Sequence, residues 1–265
     1  MHILFIGYGK TSQHVAKQLF QQGHQITTVS LSRKDQAGAM HLQQDIHQLD
    51  LSTLSPIDAV YVLIAPKDPS LNGYKAAFID AIPHMRNQLA LHPIQKIIVV
   101  SSTRVYGQDQ GEEIDDQTEI NPKDEKALVL ATMEKLWQEA FPQQCIIVRP
   151  TGIYGVSVKR MMQLAQNTMT YPNVHWSNRI HIEDLAGFLV HLLHVEHPEK
   201  TYICSNNQPI PLHEIILWFQ KQLNIPPLKL LSEAQHGKKI YASRMLSTGF
   251  KLKHNQFFKD YREFI

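Results

Sequence analysis

The sequence predicts an α/β protein with a Rossmann-like, doubly wound parallel sheet and a small C-terminal lobe. Three observations support this prediction. Apolar runs of strand length alternate with helix-period segments, a glycine turn follows the first run, and the alternation changes after Pro150. Repeated strand–helix–strand units need right-handed crossovers, which place helices on both faces of a parallel sheet. We therefore predict a Rossmann domain over residues 1–150 and a lobe over residues 151–265 that is interleaved with it.

The elements follow one another in a regular order. Strands are predicted at residues 2–6, 25–29, 59–64, 96–100 and 145–148, and helices at residues 11–22, 72–91 and 123–140. The strands at 59–64 and 96–100 are continuously apolar, as expected where helices cover both faces of a sheet. After Pro150 we predict helices at residues 158–169, 182–194 and 212–223 and a short strand at residues 201–204.

Composition and charge exclude several classes of protein. The 265 residues are 43% hydrophobic and 19% charged, which is too apolar for a disordered chain and too polar for a polytopic membrane protein. The net charge of +2 gives no electrostatic reason for a nucleic acid or membrane partner. Cys145 and Cys204 lie in apolar runs, so they do not indicate an oxidising compartment. The apolar run at the N-terminus lacks the features of a signal peptide. We expect a cytoplasmic globular protein.

A glycine turn joins the first predicted strand to the first helix. Gly7 and Gly9 match the first two glycines of G-x-G-x-x-G, and Ser12 stands in the third place. In this motif the first glycine permits a tight turn, the second the close approach of a pyrophosphate, and the third close helix packing. The helix N-terminus, which begins near Lys10 and Thr11, adds N–H groups and a positive dipole. The pattern predicts dinucleotide binding by these residues; a purely structural strand–glycine–helix junction is the alternative.

The end of the second strand indicates which dinucleotide is bound. A strand in this position ends in Asp or Glu when it accepts a hydrogen bond from the ribose 2′-OH of NAD. Here Ser30 occupies the strand end, and Arg33 and Lys34 follow. A missing carboxylate beside cations favours a 2′-phosphate, so NADP is the predicted cofactor and NAD the alternative. The two cations are also consistent with a solvated loop.

Five further segments resemble the extended short-chain dehydrogenase/reductase family, the NAD-dependent epimerase/dehydratase group. They are VVSSTRVYG at 99–107, IVRPTGIYG at 147–155, NRIHIEDLA at 178–186, YICSNNQPIPLHE at 202–214 and GKKIYASRMLSTG at 237–249. Their order and spacing agree with the family over nearly the whole chain. The resemblance is to an atypical branch, and it implies carbonyl or alcohol chemistry with a substrate lobe after Pro150.

This family uses a Ser or Thr, together with a Tyr and a Lys spaced Y-x-x-x-K, as its acid–base machinery. The resemblance places the hydroxyl residue at Ser102, or at Thr103 if the loop is offset by one. It places Lys126 at the tyrosine position and Leu130 at the lysine position. The standard acid–base pair is therefore absent from this sequence.

Two residues are candidate substitutes for the missing phenol. Lys126 is interpreted as an electrostatic clamp, as a base after desolvation, or as a solvent-facing helix residue. Tyr106 is interpreted as a surrogate acid from the loop beside the cofactor, or as a support of that loop.

Five further residues are candidate cofactor contacts because they follow predicted strands or the family's Arg-Pro step. They are Ala65, Pro66, Ser101, Thr151 and Gly152. The carboxyl ends of strands are the edge at which open α/β sheets bind ligands.

Three other polar segments have alternative interpretations. The acidic residues 109–119 form either a substrate-facing lid or a solvated loop. Asp184 is placed to stabilise the start of the following helix, and the resemblance makes this junction a structural support instead of a site with a catalytic His181. His191 and His194 have helical spacing, but Pro198 ends that helix and the sequence holds no Cys pair of a structural zinc site, so no metal is predicted.

These features lead to two hypotheses from different classes. The first is an oxidoreductase or epimerase that moves a hydride between the nicotinamide and a small carbonyl or sugar-type substrate, with Ser102 on the carbonyl oxygen and Lys126 or Tyr106 in place of the phenol. The second is a catalytically inactive NADP(H)-binding sensor or regulatory protein, which the missing Tyr and Lys favour. A structural α/β domain without nucleotide is a third alternative. By analogy with the family, we also expect a homodimer.

Overall fold

The computed structural model describes residues 1–34 and 38–262. Its strands are β1 His2–Ile6, β2 Gln25–Ser30, β3 Ala39–Gln43, β4 Ala59–Val62, β5 Lys96–Val100, β6 Gln110–Ile114, β7 Cys145–Pro150, β8 Gly152–Tyr154, β9 Thr170–Tyr171, β10 Val174–Ser177, β11 Arg179–His181, β12 Thr201–Cys204, β13 Ile210–Pro211, β14 Lys229–Leu230 and β15 Gln235–Ile240. Its α-helices are α1 Lys10–Gln21, α2 Leu71–Lys75, α3 Ile82–Leu89, α4 Glu125–Ala140, α5 Lys159–Asn167, α6 Ile182–His194, α7 Leu212–Gln222, α8 Ser243–Ser247 and α9 Phe257–Arg262.

A seven-stranded sheet in the order β12-β7-β5-β4-β1-β2-β3 confirms the predicted Rossmann-like, doubly wound fold. The strand pairings from β3 across to β7 are all parallel. The strands β1, β4 and β7 are buried along their whole lengths, as their continuous apolar sequences predict. The strand order reverses between β1 and β4, and this switch point is where ligands of such sheets bind.

The predicted helix at residues 72–91 is divided into α2, a π-helical turn at Ala76–Asp80, and α3. Pro83 lies in the first turn of α3 and has no N–H to donate to the carbonyl one turn earlier. The regular helix therefore stops before Pro83 and starts again with it. The sequence pattern shows the apolar face of this segment but not the break.

The chain divides into two compact units. Unit 1 comprises residues 1–106, 120–149 and 185–202, and unit 2 comprises residues 107–119, 150–184 and 203–265. The predicted division at residue 150 into a Rossmann domain and a substrate lobe stays a prediction.

Unit 2 contains a four-stranded sheet in the order β13-β10-β15-β6 and the strand pairs β8–β11 and β9–β14. Its hydrophobic core is rich in aromatic side chains, among them Tyr154, Phe219, Phe257 and Tyr261. Two of its elements lie where the sequence shows no periodic pattern: β6 in the acidic segment and β15 in the basic tail. The charged side chains Glu112 and Glu113 of β6 are exposed and Lys238 and Lys239 of β15 are half-buried, so neither strand shows the apolar–polar alternation of a strand.

None of the helices within residues 1–34 and 38–262 combines the length and apolarity of a membrane-spanning segment.

Lys96 caps the C-terminus of α6 from the amino end of β5. Its Nζ donates hydrogen bonds to the carbonyl oxygens of Leu192 at 3.1 Å, Leu193 at 2.8 Å and Val195 at 2.5 Å. These carbonyls belong to the last turn of the helix, which lacks intrahelical donors and carries the negative end of the helix dipole. Burial lowers the pKa of Lys96, so these three acceptors offset the cost of desolvating its ammonium.

We predict that Lys96→Met lowers the free energy of unfolding by about 2–3 kcal/mol, because it leaves these carbonyls without a charged donor. Urea unfolding followed by circular dichroism measures the change. Lys135→Met is the matched control, since Lys135 is exposed and forms only a surface ion pair with Glu139, so a loss below about 0.5 kcal/mol is expected. Equal losses in the two variants would contradict the capping role.

Candidate functional site

Gly7 lies at the switch point and can only be glycine. Its φ of +91° is in the left-handed region, and a Cβ on it would collide with the carbonyl oxygen of Leu63. Its main-chain N–H donates to the carbonyl of Val29 at 3.0 Å. The turn after β1 is therefore held between the ends of β2 and β4, the strands on either side of β1.

Gly9 has no such structural requirement. It is the N-cap of α1 with φ −87°, which any residue adopts, and a Cβ built on it would meet no atom within 4 Å. The first turn of α1 has no side-chain cap and no acidic residue, so no group of that turn itself neutralises its N–H groups and the positive end of the helix dipole. Open space in front of an uncapped helix N-terminus fits an anionic ligand.

Ser12 has a specific role in place of the third glycine. Its side chain is buried, and its hydroxyl donates to the carbonyl of Gly7 at 2.7 Å. The serine therefore ties the first turn of α1 to the glycine turn. Lys10 is exposed and Thr11 is half-buried at the start of the same helix.

A polar group surrounds the end of β2. The Ser30 hydroxyl donates to the carbonyl of Ser32 at 2.7 Å, and His41 on β3 places its Nε2 3.4 Å from the Ser30 Oγ. His41 Nδ1 is 2.8 Å from the Thr28 Oγ1. Arg33 is exposed just beyond this group. The sequence does not indicate His41, because β3 is a half-exposed edge strand without a continuous apolar run.

Tyr8, the residue between the two glycines, was also missed. It is 4% exposed, and its phenol oxygen has no hydrogen-bond partner in the described part of the chain. Burial raises the pKa of Tyr8 to about 12. Its ring centroid is 6.4 Å from that of His41, so both residues border the same side of the turn.

Two serines follow β5 at the carboxyl edge of the sheet. Ser101 donates its main-chain N–H to the carbonyl of Val148 at 2.7 Å, but its buried hydroxyl has no partner among the residues that the structure describes. The Ser102 Oγ accepts from the main-chain N–H of Arg104 at 3.2 Å and caps the 3₁₀ turn Thr103–Val105. An accepting hydroxyl keeps its own hydrogen for another acceptor, so Ser102 can donate to a ligand.

Tyr106 belongs to a buried charged network. Its hydroxyl accepts from Arg149 Nη1 at 2.8 Å, and the same guanidinium donates from Nε and Nη2 to the carboxylate of Glu134, with the Nη2 bond at 2.6 Å. The Tyr106 side chain is 1% exposed. This position favours support of the loop over contact with a substrate, and a role as surrogate acid stays a prediction.

Lys126 lies in the first turn of α4, beside the loop that follows β4. Its Nζ is 5.1 Å from the centroid of the Tyr74 ring. Hydrogen bonds from Ser70 hold the pKa of Asp68 below its usual range, and the charge of Lys126 contributes to this lowering. Leu130, one turn further along α4, is buried in the core. Leu130 is therefore a core side chain, while Lys126 is half-buried, and their assignment to the family's lysine and tyrosine positions stays a prediction.

The other predicted cofactor contacts lie in two places. Ala65 and Pro66 follow β4, which ends at Val62, two residues earlier than predicted. Thr151 and Gly152 belong to unit 2. There the Thr151 hydroxyl donates to the carbonyl of Cys204 at 3.3 Å. A cofactor contact by these residues stays a prediction.

The acidic segment 109–119 makes structural contacts within unit 2. Asp109 accepts from the main-chain N–H of Gly237 at 2.8 Å, and Glu113 forms an ion pair with Lys239 at 3.6 Å. Asp116 is buried and accepts from the main-chain N–H groups of Ile203 and Arg244. These contacts favour the structural interpretation over the substrate-facing lid.

A cluster of ionisable side chains surrounds His254 in unit 2. Its Nε2 is 3.2 Å from Glu183 and its Nδ1 is 3.4 Å from Asp260, and its ring stacks on His181 with centroids 3.6 Å apart. Asp184 lies in the first turn of α6, where an acidic residue is favourable, and its carboxylate also accepts from the main-chain N–H groups of Lys253 and His254.

His181 has little freedom in this cluster. Its Nδ1 is 3.3 Å from the N–H of Glu183, and its Nε2 lies against Gly155, where an added Cβ would collide with it. His181, Glu183 and His254 have ligand-type atoms within 4.8 Å of one another. The lone pairs of stacked imidazoles lie in nearly parallel planes and do not converge, so this geometry suits an ion-pair cluster better than a metal site.

The pKa values of His254 and His181 are shifted in opposite directions. Burial by itself lowers the pKa of His254, but hydrogen bonds to Glu183 and Asp260 and the charge of Asp184 raise it above its usual value of 6.5. Burial and the charge of His254 lower the pKa of His181. The cluster therefore favours a charged His254 stacked on a neutral His181.

We predict that His254→Gln reduces the loss of stability that the wild type shows as the pH rises above about 6.5. A pKa that is raised in the folded state stabilises below the unfolded value, and this contribution is lost as the pH rises through the folded pKa. Thermal unfolding between pH 6 and 8.5 measures it, with the exposed His47→Gln as control. An unchanged pH profile in His254→Gln would contradict the assignment.

Comparison with known proteins agrees with this fold. The profile of the NAD dependent epimerase/dehydratase family matches residues 7–204. Protein YeeZ of Escherichia coli (strain K12) is 26% identical over 220 residues, which cover 78% of each chain. A solved protein from Methylobacillus flagellatus, provisionally described as an NAD-dependent epimerase/dehydratase, is 26% identical with a TM-score of 0.82, and the match covers 99% of this chain and 97% of that one.

The fold is also that of a sugar-nucleotide epimerase. UDP-glucuronic acid 4-epimerase from Bacillus cereus, solved in complex with NAD, has a TM-score of 0.80 at 16% identity, with 99% of both chains covered. The central sheet, with its glycine turn at the β1/β4 switch point, defines a Rossmann-type protein. This chain belongs to the NAD dependent epimerase/dehydratase family.

Proposed function

We propose that this protein binds NADP(H) at the carboxyl edge of the central sheet and uses it in an oxidoreductase or epimerase reaction on a small carbonyl or sugar-type substrate. The observation that carries the proposal is the glycine turn. Gly7 is required by the backbone, whereas Gly9 leaves open space in front of an uncapped helix N-terminus. Because the backbone does not require glycine at position 9, we attribute Gly9 to the close approach of a pyrophosphate.

Two unpartnered buried hydroxyls support the same ligand. Tyr8 borders the glycine turn and Ser101 follows β5, and both hydroxyls lack a partner among the described residues. A buried polar group without a partner costs free energy, so a ligand that supplies the missing hydrogen bonds offsets that cost. Gly7, Gly9, Lys10, Thr11 and Ser12 would form the pyrophosphate site, and Ala65, Pro66, Ser101, Thr151 and Gly152 are proposed as further contacts.

The 2′-phosphate form is proposed because the end of β2 offers hydroxyl, imidazole and guanidinium groups. Ser30 and His41 lie within 3.4 Å of each other, and Arg33 follows. Ser30 is the last residue of β2, where NAD-specific sheets place a carboxylate that accepts from the ribose 2′-OH.

The proposed catalytic residues follow β5 and lie in the first turn of α4. When bound, the nicotinamide provides a hydride acceptor or donor. Ser102 would donate its free hydroxyl hydrogen to the carbonyl oxygen of the substrate. Lys126, at the position of the family's tyrosine, would stabilise negative charge on that oxygen and give it a proton as the carbonyl carbon gains a hydride.

The first experiment is a titration of the purified protein with NADPH and NADH, followed by nicotinamide fluorescence. We expect NADPH to bind at least about tenfold more tightly, which corresponds to one charge-assisted hydrogen bond. Ser30→Asp should reverse the preference, because a carboxylate repels the 2′-phosphate and accepts from the 2′-OH. Preference for NADH in the wild type would reject the cofactor assignment, and binding of neither nucleotide would reject the function.

A second function, an NADP(H)-binding sensor or regulator without turnover, is favoured by one observation. The lysine position of the family's pair holds the buried Leu130, and the phenol of Tyr106 is bound to Arg149. Turnover with a panel of carbonyl substrates and UDP-glucuronic acid distinguishes the two functions. Lys126→Met should abolish any turnover and leave NADPH binding unchanged. A homodimer and a cytoplasmic location stay predictions.

A further inference from the structure

The segment 250–262, which contains α9, packs on the aromatic core of unit 2. Phe257 and Tyr261 are buried, and their ring centroids lie 5.0 Å and 5.4 Å from that of Tyr154, the last residue of β8. These contacts are apolar, so they do not depend on the charge of any side chain. The polar contacts of the segment form a separate set around its single histidine, His254.

Two carboxylates join the segment to the rest of unit 2. Asp184 accepts from the main-chain N–H groups of Lys253 at 2.8 Å and His254 at 2.9 Å. Asp260 of α9 accepts from the Tyr154 hydroxyl at 2.6 Å. The segment is therefore bound through a carboxylate on its partner and through a carboxylate of its own, and His254 lies between the two.

The charge of His254 decides whether the carboxylates around it attract or repel the ring. Its Nε2 is 3.2 Å from Glu183 and its Nδ1 is 3.4 Å from Asp260. A protonated imidazole donates from both nitrogens and bridges these two side chains, with Asp184 as a third negative charge nearby. A neutral imidazole has one donor only, so it presents a lone pair to one of the carboxylates. Loss of the proton therefore leaves three carboxylates around an uncharged ring.

The surroundings of the ring determine the pH range of this change. Burial lowers the pKa of His254, but hydrogen bonds to Glu183 and Asp260 and the charges of Asp184 and Asp260 raise it above its usual value of 6.5. A group with a raised pKa stabilises the folded form below its unfolded value, and this contribution is lost as the pH rises through the folded pKa. The contacts of the segment therefore weaken above about pH 6.5.

The other ionisable groups that face His254 keep their charge state in this range. Burial and the charge of His254 lower the pKa of His181, whose ring stacks on that of His254 with centroids 3.6 Å apart. Burial raises the pKa of Tyr154 on β8 and of Tyr261 on α9, so both phenols stay neutral. Lys253, the preceding residue, is an exposed cation.

We propose that residues 250–262 form a pH-sensitive latch, which the charged His254 holds on Glu183, Asp184 and Tyr154 and which opens locally as the ring loses its proton. The open form frees the Tyr154 hydroxyl and exposes the aromatic side chains of α9. The latch consists of contacts within unit 2, so it does not rest on the proposed function.

Hydrogen exchange of the full-length protein, followed by mass spectrometry, measures the opening. Peptides from residues 250–262 are compared at about pH 6 and pH 8.5, with exchange times scaled to the intrinsic rate at each pH. We expect the protection of this segment to fall at least about threefold at the higher pH, and to lie below that of β5 at both. Protection that does not fall, or that equals the protection of β5, would overturn the proposal, because the segment would then open only with the whole protein.

Two histidine variants assign the effect to His254. His254→Gln should remove the dependence of the segment's protection on pH. His236→Gln is the matched control, since His236 also lies beside a carboxylate, Asp109 at 3.5 Å, but outside the segment, so its protein should keep the threefold fall. An equal fall in both variants would show that another group titrates, and the latch would be rejected.

Trypsin cleavage of the wild type gives a readout that needs no variant. Lys251, Lys253 and Lys259 lie in the segment with exposed side chains. Their cleavage rates, divided by those of a free peptide with the sequence of residues 250–262, should rise at least about threefold between pH 6.5 and 8.5. A constant ratio would contradict a latch that opens in this range.

Discussion

Replacing Gly9 by aspartate is expected to reduce NADPH affinity by at least about 100-fold while leaving the fold intact. The new carboxylate would occupy the open space in front of α1 and place a negative charge where the pyrophosphate binds. Juxtaposing like charges at a binding site costs several kcal/mol, and about 2.7 kcal/mol already corresponds to 100-fold. The backbone accepts the substitution, because Gly9 has φ −87° and a Cβ on it meets nothing within 4 Å. Nicotinamide fluorescence measures the affinity, and circular dichroism checks the fold.

Gly9→Ala and Gly7→Ala separate the functional glycine from the structural one. Gly9→Ala should keep the stability of the wild type and weaken NADPH binding, since a methyl group takes part of the space for the phosphate. Gly7→Ala should lower the free energy of unfolding by about 3 kcal/mol or more, because its φ is +91° and its Cβ would collide with Leu63. Undiminished NADPH binding by Gly9→Asp would refute the assignment of the glycine turn as the pyrophosphate site.

Glu134→Gln is expected to destabilise the protein by about 3–5 kcal/mol. The carboxylate is 3% exposed and accepts from two nitrogens of Arg149, which is 8% exposed. Removing one partner of a buried ion pair leaves the other charge desolvated and uncompensated. Urea unfolding measures the loss, and Glu139→Gln, on the exposed side of the same helix, is the control with an expected loss below about 0.5 kcal/mol.

The double variant Glu134→Leu/Arg149→Met tests the physical reason. Replacing a buried pair by apolar groups of similar volume is often close to neutral, so the double variant should be more stable than Glu134→Gln. Tyr106 would then lose the donor that holds its hydroxyl, and any turnover that depends on this loop should fall. A double variant less stable than the single one would show that the pair is worth more than its desolvation cost.

Much of the fold follows from local patterns. The strands at residues 2–6, 96–100 and 201–204 and the helix at residues 182–194 were predicted with the bounds that the structure has. Continuous apolar runs are specific where both faces of a sheet are covered. The edge strands β3 and β6 lack such a run because they are partly exposed, so a search for continuous apolar runs does not predict them.

The site is predictable only in part. Gly7, Gly9 and Ser12 fall within six consecutive residues, so their spacing predicts the turn. His41 joins Ser30 only because β3 pairs with β2, and no local signal in residues 39–43 indicates it. Tyr8 is visible in the sequence, but its unpartnered hydroxyl is a property of the folded core.

By itself, the sequence determined the Rossmann-like sheet and the glycine turn, while the absence of the family's Tyr and Lys stays a prediction. These features depend on residue type and on short spacings. The structure alone showed which glycine the backbone requires and that Glu134 and Arg149 neutralise each other. Each of these depends on atoms that are distant in sequence or on space left open between them, and neither is encoded in a local pattern.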